Sequence, residues 1–420
     1  MDTRSRDALA VFATGALLGV VALAHYAVSQ PGAFGLNYRV YHVAAEAAAT
    51  GGDFYAVTPS DSGFHYLYPP ATVLAFLPSA LAESWIPGYV AITALSMLAT
   101  AVATRLLAAY VESLGHRVGR VERALLFAFL FASSHSAPSL AYGQVNHLLV
   151  AALVAGLVWL ARDRQLRAGA ALALPAFVKV FPGLVGLWLL RERAWRAIAA
   201  AVGTAGALFG VGLLAFGVDT TRTYVTEALL PRREAAAFVG GLAPGRSFVT
   251  LRRPLSVLFP SADPIWYAIG AAALLAPVLA ALYWRLETVT DRHVAVHGTL
   301  VATLLAVSSL LIYYAYVSFS LVVLLYDLPA GRGRRLFVAG ALLANLSLAF
   351  DTLREALRSA PLEPATRRTV LDLLLPVFRF GTPVLYGSLL TLAGCLVYRV
   401  ESGSLPLPAP VGASLSDGES

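Results

Sequence analysis

Charge is scarce in this chain, and cysteine and lysine occur once each. Only 13% of the 420 residues are charged and 58% are apolar, where a soluble domain carries about 25% charged residues. With a mean hydropathy of +0.70, this composition excludes a cytosolic enzyme, a secreted disulfide scaffold and a DNA reader. Cys395, in the last apolar stretch, can form no internal disulfide. There is no Walker loop, no glycine-rich dinucleotide turn, no metal-spacing Cys/His set and no nucleophile elbow. Nucleotide-dependent chemistry, a resident metal and a cofactor are therefore not expected, and a donor substrate should arrive through the membrane. Of the 31 basic side chains, Lys179 is the single lysine and the rest are arginine. The Ala- and Arg-rich composition fits a GC-rich prokaryotic genome.

What the chain has instead is repeated apolar stretches of about 20 residues, the length that crosses a bilayer as helix. They predict one all-α polytopic membrane domain over 1–400, with a disordered cytoplasmic tail over 401–420. The net charge of +7 resides in arginine clusters between the apolar stretches, which marks membrane orientation rather than nucleic-acid binding. Spans are expected near 8–28, 86–108, 123–140, 147–161, 196–217, 265–285, 336–350 and 381–399. Residues 168–190 have arginines on both flanks (Arg162, Arg164 and Arg167; Arg191, Arg193 and Arg196) and Pro175, Lys179, Pro182 and Gly183 at the centre. One crossing cannot return to the same side, so two short helices should meet in a turn. The stretch 296–328, between Arg292 and Arg332, Arg334 and Arg335, reads as a second broken pair with Tyr313, Tyr314 and Tyr316 at its turn. Counting both pairs gives about 12 spans with both termini cytoplasmic. A short interfacial or re-entrant segment is expected between Pro69 and Ala82. Outer loops are then expected at 29–68, 218–264 and 351–380.

The first outer loop gathers Asn37, Tyr38, Arg39, Tyr41, His42, Glu46, Asp53, Asp61, His65 and Tyr68. Aromatic planes with nearby carboxylates and amides suit a sugar, whose hydroxyls need donors and acceptors; an interfacial aromatic belt is the plainer reading. Asp53 comes after a short Ala-rich helix ended by Gly51 and Gly52, and it either caps the next turn or carries chemistry. Lys179 at membrane depth either snorkels or meets an anion. Gln144 and Asn146, in an outer turn, hydrogen-bond a sugar or cap two helices. The second outer loop brings Arg222, Arg232, Arg233, Arg246, Arg252 and Arg253 against Asp219, Glu227, Glu234 and Asp263. An anionic ligand would account for that excess, and so would simple solvation.

Taken in order, Asn37-Tyr-Arg-Val-Tyr41, Gly51-Gly-Asp-Phe-Tyr55, Tyr66-Leu-Tyr-Pro-Pro70, Gly143-Gln-Val-Asn146, Ala168-Gly169 with Lys179 and Pro182, and Arg246-Ser247 with Arg252-Arg253 resemble glycosyltransferase family 87, the polyprenol-phosphate-mannose-dependent mannosyltransferase group. The likeness covers roughly residues 30–330. It implies a GT-C-like membrane fold and a polyprenyl-phosphate sugar donor entering sideways from membrane lipid. It further implies inverting transfer of a hexose, mannose in the type reaction, to a lipid or glycan acceptor at the outer face of the plasma membrane. On this resemblance Lys179, Arg246, Arg252 and Arg253 would hold the donor phosphate. Tyr38, Arg39, Tyr41, His42, His65, Tyr68, Gln144 and Asn146 would hold sugar or acceptor. The family usually has Asp where this chain has Asn37, and an amide cannot act as a general base; a His often found near Tyr316 is Ala315 here. Asp53 and Asp61 are the first substitutes by position, with Glu46 and His65 behind them. A carrier or flippase of polyprenyl-linked sugars is the rival class, but it needs polar groups leading to both faces, whereas here they concentrate on one.

Overall fold

The computed structural model describes residues 3–229 and 235–405; Arg232, Arg233, Glu234 and nearly all of the expected tail lie outside them. In hydrocarbon each backbone amide and carbonyl must be satisfied within the protein, which helix does segment by segment. Accordingly the described residues form helices and no strand, with one isolated bridge between Phe248 and Leu310.

From the arginine-rich end, α1 (Thr3–Ser29) leads to the opposite, aromatic-rich end, where α2 (Leu36–Ala49) follows Gly35. The segment expected between Pro69 and Ala82 is a helical turn, α3 (Pro70–Val73), and a 3-10 turn (Leu77–Leu81). α4 (Ile86–Ser113) returns to the arginine end, and α5 (Arg120–Ala132) and α6 (Ala137–Tyr142) climb again. The stretch 123–140, expected as one span, is thus interrupted at Ser133–Ser136. Hydroxyls serve carbonyls at helix ends there: Ser136 Oγ donates to Leu130 O of α5 at 2.9 Å, and Ser134 Oγ reaches Asn345 O, far along the chain, at 2.7 Å.

α7 (Asn146–Ala161) descends, and α8 (Gln165–Lys179), a 3-10 turn (Phe181–Val185) and α9 (Gly186–Arg191) make the first broken pair. α10 (Trp195–Thr223) continues through a π-helical turn, Tyr224–Leu229, beyond the span expected at 196–217. After α11 (Arg252–Leu258) and α12 (Pro264–Tyr283), the second broken pair comprises α13 (Val289–Ala306), a 3-10 turn (Leu311–Val317) and α14 (Ser318–Asp327). α15 (Arg332–Ala344), α16 (Phe350–Ser359), α17 (Pro364–Phe380) and α18 (Pro383–Glu401) complete the chain. The segment 351–380, expected as a loop, is therefore two helices. Their polar and apolar residues alternate with helical period, which a search for continuous apolar runs passes over.

Five helices among the described residues are long and apolar enough to cross a membrane: Thr3–Ser29, Ile86–Ser113, Trp195–Leu229, Pro264–Tyr283 and Pro383–Glu401. Asn146–Ala161, Phe181–Arg191 and Leu311–Asp327 are apolar but shorter. The expected 12 spans exceed what length and composition establish, because breaks divide the remaining apolar chain into pieces below spanning length.

The arginine end is laced together. Arg334 donates to Asp7 at 2.7 Å, Arg292 lies 3.4 Å from Glu192, and Arg191 bonds the Tyr283 carbonyl at 3.0 Å. Beneath them Arg399 and Asp291, neither exposed, pair at 2.5 Å, and Asp291 also accepts from Thr288 N at 2.9 Å. Such a buried pair is costly to break, by about 3–5 kcal/mol when one partner is removed.

The most extensive helix pairing joins α15 to α18, and small residues make it possible. A Cβ at Gly340 would lie 2.6 Å from Gly387 O, and one at Gly394 would lie 2.7 Å from Gly333 O. Backbone thus packs on backbone at two levels of the pair. Gly340→Ala should lower thermal stability in detergent by about 1–3 kcal/mol. Gly206→Ala, on the open face of α10 with nothing within 4 Å, should be neutral or stabilising; equal unfolding temperatures for the two variants would refute this account of the packing.

Candidate functional site

Gly35, at φ 71°, lets the chain turn sharply into α2. The helix presents Tyr38 and Tyr41 inward, with Tyr41 stacked on Phe76 at 4.6 Å between ring centroids. Tyr41 and Tyr68 hydroxyls are 3.0 Å apart, and Tyr55 OH donates to the Tyr68 carbonyl at 2.7 Å. Tyr66 OH meets Thr72 Oγ1 at 2.5 Å. Burial first, and then the neighbouring Tyr68, pushes the Tyr41 phenol well above its ordinary value. Burial raises the Tyr66 phenol as well, so Tyr41 and Tyr66 are neutral hydrogen-bonding groups at physiological pH rather than bases.

Lys179, the last residue of α8, reaches this aromatic nest because Val180 adopts a left-handed φ of 64° and Pro182 starts the next turn. Its ammonium sits 5.0 Å from the Tyr68 ring centroid and 4.9 Å from that of Tyr313, and it donates to Tyr313 OH at 3.3 Å. No carboxylate lies within ion-pair distance of it among the described residues. Aromatic faces compensate part of the desolvation of a cation, but the charge is left without an anion.

A second branch is built of amides. Gln144 Nε2 donates to Asn37 Oδ1 at 3.2 Å, Asn146 Nδ2 donates to Gln144 Oε1 at 2.6 Å, and Tyr316 OH donates to Asn146 Oδ1 at 3.3 Å. Ser139 Oγ also accepts from Asn146, at 2.8 Å. Phe181 packs against both Tyr313 and Tyr316, with centroids 5.0 and 5.2 Å away, and so joins the two branches. Five segments distant in sequence, around 37–41, 55–68, 144–146, 179–181 and 313–316, meet here.

Other expected residues take different places. Arg39 pairs with Asp61, bonds the Gly32 carbonyl and covers the Trp85 ring at 5.4 Å. Asp53 is exposed, and its Oδ1 accepts from Tyr55 N at 2.9 Å in a turn, leaving Oδ2 without a partner among the described residues. His42 lies 3.4 Å from Glu46, and His65 Nδ1 is 3.2 Å from the Tyr55 carbonyl.

Arg246 is exposed, and its guanidinium has no partner among the described residues. Its neighbour Ser247 accepts from Leu311 N at 2.9 Å, which sets this loop beside the Tyr313 turn. Arg252 Nε donates to Ala306 O at 3.0 Å. Arg253 is enclosed: it donates to the carbonyls of Ala243 at 3.3 Å and Phe378 at 3.2 Å, and to that of Arg246. Burial pushes its guanidinium down to about 10, so it remains charged at neutral pH. Its donors tie residues 243–246 to the end of α17 and are consumed by carbonyls.

The profile of glycosyltransferase family 87 matches residues 66–313, more than half of the chain. The chain belongs to glycosyltransferase family 87. It is accordingly a membrane glycosyltransferase. A search of curated proteins gives no match. The matched part of the glycosyltransferase carries Tyr68, Gln144, Asn146, Lys179 and Arg246 and ends at Tyr313; Asn37, Asp53 and Asp61 precede it. Sequence reasoning placed Tyr313 and Tyr316 at the interface only, although three tyrosines within four residues of an apolar stretch were the available signal. Asp351, at the start of α16, lies against Gly245 and pairs with Arg354 at 3.0 Å.

The two arginines should separate cleanly. Arg253→Gln should destabilise the glycosyltransferase by on the order of 3 kcal/mol, because several enclosed carbonyls lose their donor, whereas Arg246→Gln should leave its unfolding temperature unchanged. Thermal unfolding in detergent reads both, and a fully stable Arg253→Gln variant would remove the structural role assigned to it.

Proposed function

We propose that this glycosyltransferase moves a hexose, mannose in the first instance, from a polyprenyl-phosphate carrier to a lipid or glycan acceptor at the outer face of the plasma membrane. The observation that carries the reading is Lys179, a half-buried cation held between two tyrosine rings with no carboxylate partner among the described residues. A donor phosphate would supply the missing charge, and the amide branch from Asn37 to Tyr316 offers the donors and acceptors that sugar hydroxyls require.

In this scheme an outer-loop carboxylate takes the proton of the acceptor hydroxyl. The oxygen attacks the anomeric carbon from the face opposite the phosphate, the bond from that carbon to the phosphate oxygen breaks, and the lipid phosphate leaves with the electron pair. Lys179, with Arg246 at the rim, stabilises the charge that develops on it. Asp53 is the better base, since one of its carboxylate oxygens is unpartnered while Asp61 is engaged by Arg39. Asn37 orients the amide branch. The arginine-laced end faces the cytoplasm, by the rule that basic residues remain inside.

The test is incubation of purified protein with radiolabelled polyprenyl-phosphate mannose and a membrane lipid extract. Labelled product is expected from the wild type, strongly reduced product from Lys179→Ala, and partial recovery from Lys179→Arg, because a planar guanidinium fits a point-charge site poorly. Asp53→Asn should lower the rate by roughly 10² to 10⁴, while Asn37→Asp should leave it unchanged or raise it. Donor binding without product from any donor would favour the carrier reading instead. Cysteine labelling at position 61 in a Cys395→Ala background is expected from outside only; labelling solely from the cytoplasmic side would reverse the orientation.

A further inference from the structure

At the arginine end, far from Lys179, the α7–α8 and α9–α10 connections enclose an open cleft of about 720 Å³. Arg164, Arg167, Arg193 and Arg196 line it, and Asp163 is its only acid. Asp163 makes no ion pair with any of them, and its Oδ1 accepts from Gln165 Nε2 at 3.1 Å; its single charge leaves the cleft with a net excess of three positive charges. The four guanidinium groups are exposed and have no hydrogen-bond or ion-pair partner among the described residues. Some arginines at this end are paired, as Arg334 with Asp7 and Arg292 with Glu192 show, and others, such as Arg117, Arg120, Arg332 and Arg335, are exposed singly; the cleft is where four of them line one cavity.

Two further observations point to a ligand. The cleft walls are strained in the same way: Asp163 has φ 56° and Arg193 φ 52°, left-handed conformations that glycine adopts most readily at a helix end. The hydrogen bonds repeat as well, with Arg164 N on Trp159 O at 2.8 Å and Ala194 N on Leu189 O at 2.9 Å. Strained non-glycine residues persist only where the surrounding structure holds them, and they cluster at ligand sites. Leu166 and Trp195, 63% and 61% exposed, stand at the mouth. Trp195 is the first residue of the long candidate span Trp195–Leu229, so it lies at the membrane–water boundary, the level of lipid headgroups.

We infer that this cleft binds the phosphate headgroup of an anionic phospholipid, with the four arginines on the phosphate and with Leu166 and Trp195 against the glycerol and upper acyl chains. Guanidinium groups match phosphate oxygens in pairs, and juxtamembrane basic clusters attract anionic lipid. The site is separate from the sugar-transfer reading and does not depend on it.

The experiment is native mass spectrometry of the full-length protein in detergent, titrated with phosphatidylglycerol, phosphatidylcholine or inorganic phosphate. Phosphatidylglycerol should bind at least about tenfold more tightly than phosphatidylcholine, and inorganic phosphate should neither bind nor displace it. The variant R164Q/R167Q/R193Q/R196Q should lose the preference. R117Q/R120Q/R332Q/R335Q, which removes equal charge from exposed arginines at the same end outside the cleft, should keep it. Arg193→Gly is the independent check: relief of the left-handed strain should raise the unfolding temperature without lipid while phosphatidylglycerol affinity falls. Equal losses in the two quadruple variants would reduce the effect to diffuse charge and overturn the site. So would full retention of the preference by the cleft variant or by Arg193→Gly, or inorganic phosphate competing as well as the lipid.

Discussion

Backbone polar groups in an apolar surrounding must find partners inside the protein, and the whole architecture depends on that requirement. A continuous helix meets it, but it offers no place for chemistry, because its amides and carbonyls are consumed and its side chains face lipid or core. Each break needs local compensation, and the polar side chains that stand at helix ends meet one another there. Lys179 ends α8, Asn146 begins α7, and Tyr313 and Tyr316 occupy the turn between α13 and α14. The site is a meeting of helix ends, and Phe181 joins its two halves.

Charge is divided between the two ends according to its use. At the arginine end most guanidinium groups that touch protein are spent on carboxylates or carbonyls, as in the enclosed Arg399–Asp291 pair. At the aromatic end the one lysine is held by ring faces and hydroxyls, which stabilise a cation without neutralising it. Arg253 differs from that lysine, since its enclosed guanidinium serves three carbonyls from two segments.

Residue type and order alone establish the medium, the helical class and the family. Composition excludes a soluble body. Arginines on both flanks of 168–190 and of 296–328 predict a turn within each stretch, and each is indeed broken into two helices joined by a 3-10 turn. The same reading marks Asn37, Tyr68, Gln144, Asn146 and Lys179. Packing in three dimensions sets how these residues meet and what each one touches. The pairing of Asp61 with Arg39, the enclosure of Arg253, the two helices within 351–380 and the part played by Tyr313 all depend on contacts between segments far apart in sequence. Hydropathy and charge patterns report how each segment partitions between water and lipid. They carry no information about which neighbour a side chain meets once the segments pack, and the chemistry of a site is fixed by those neighbours.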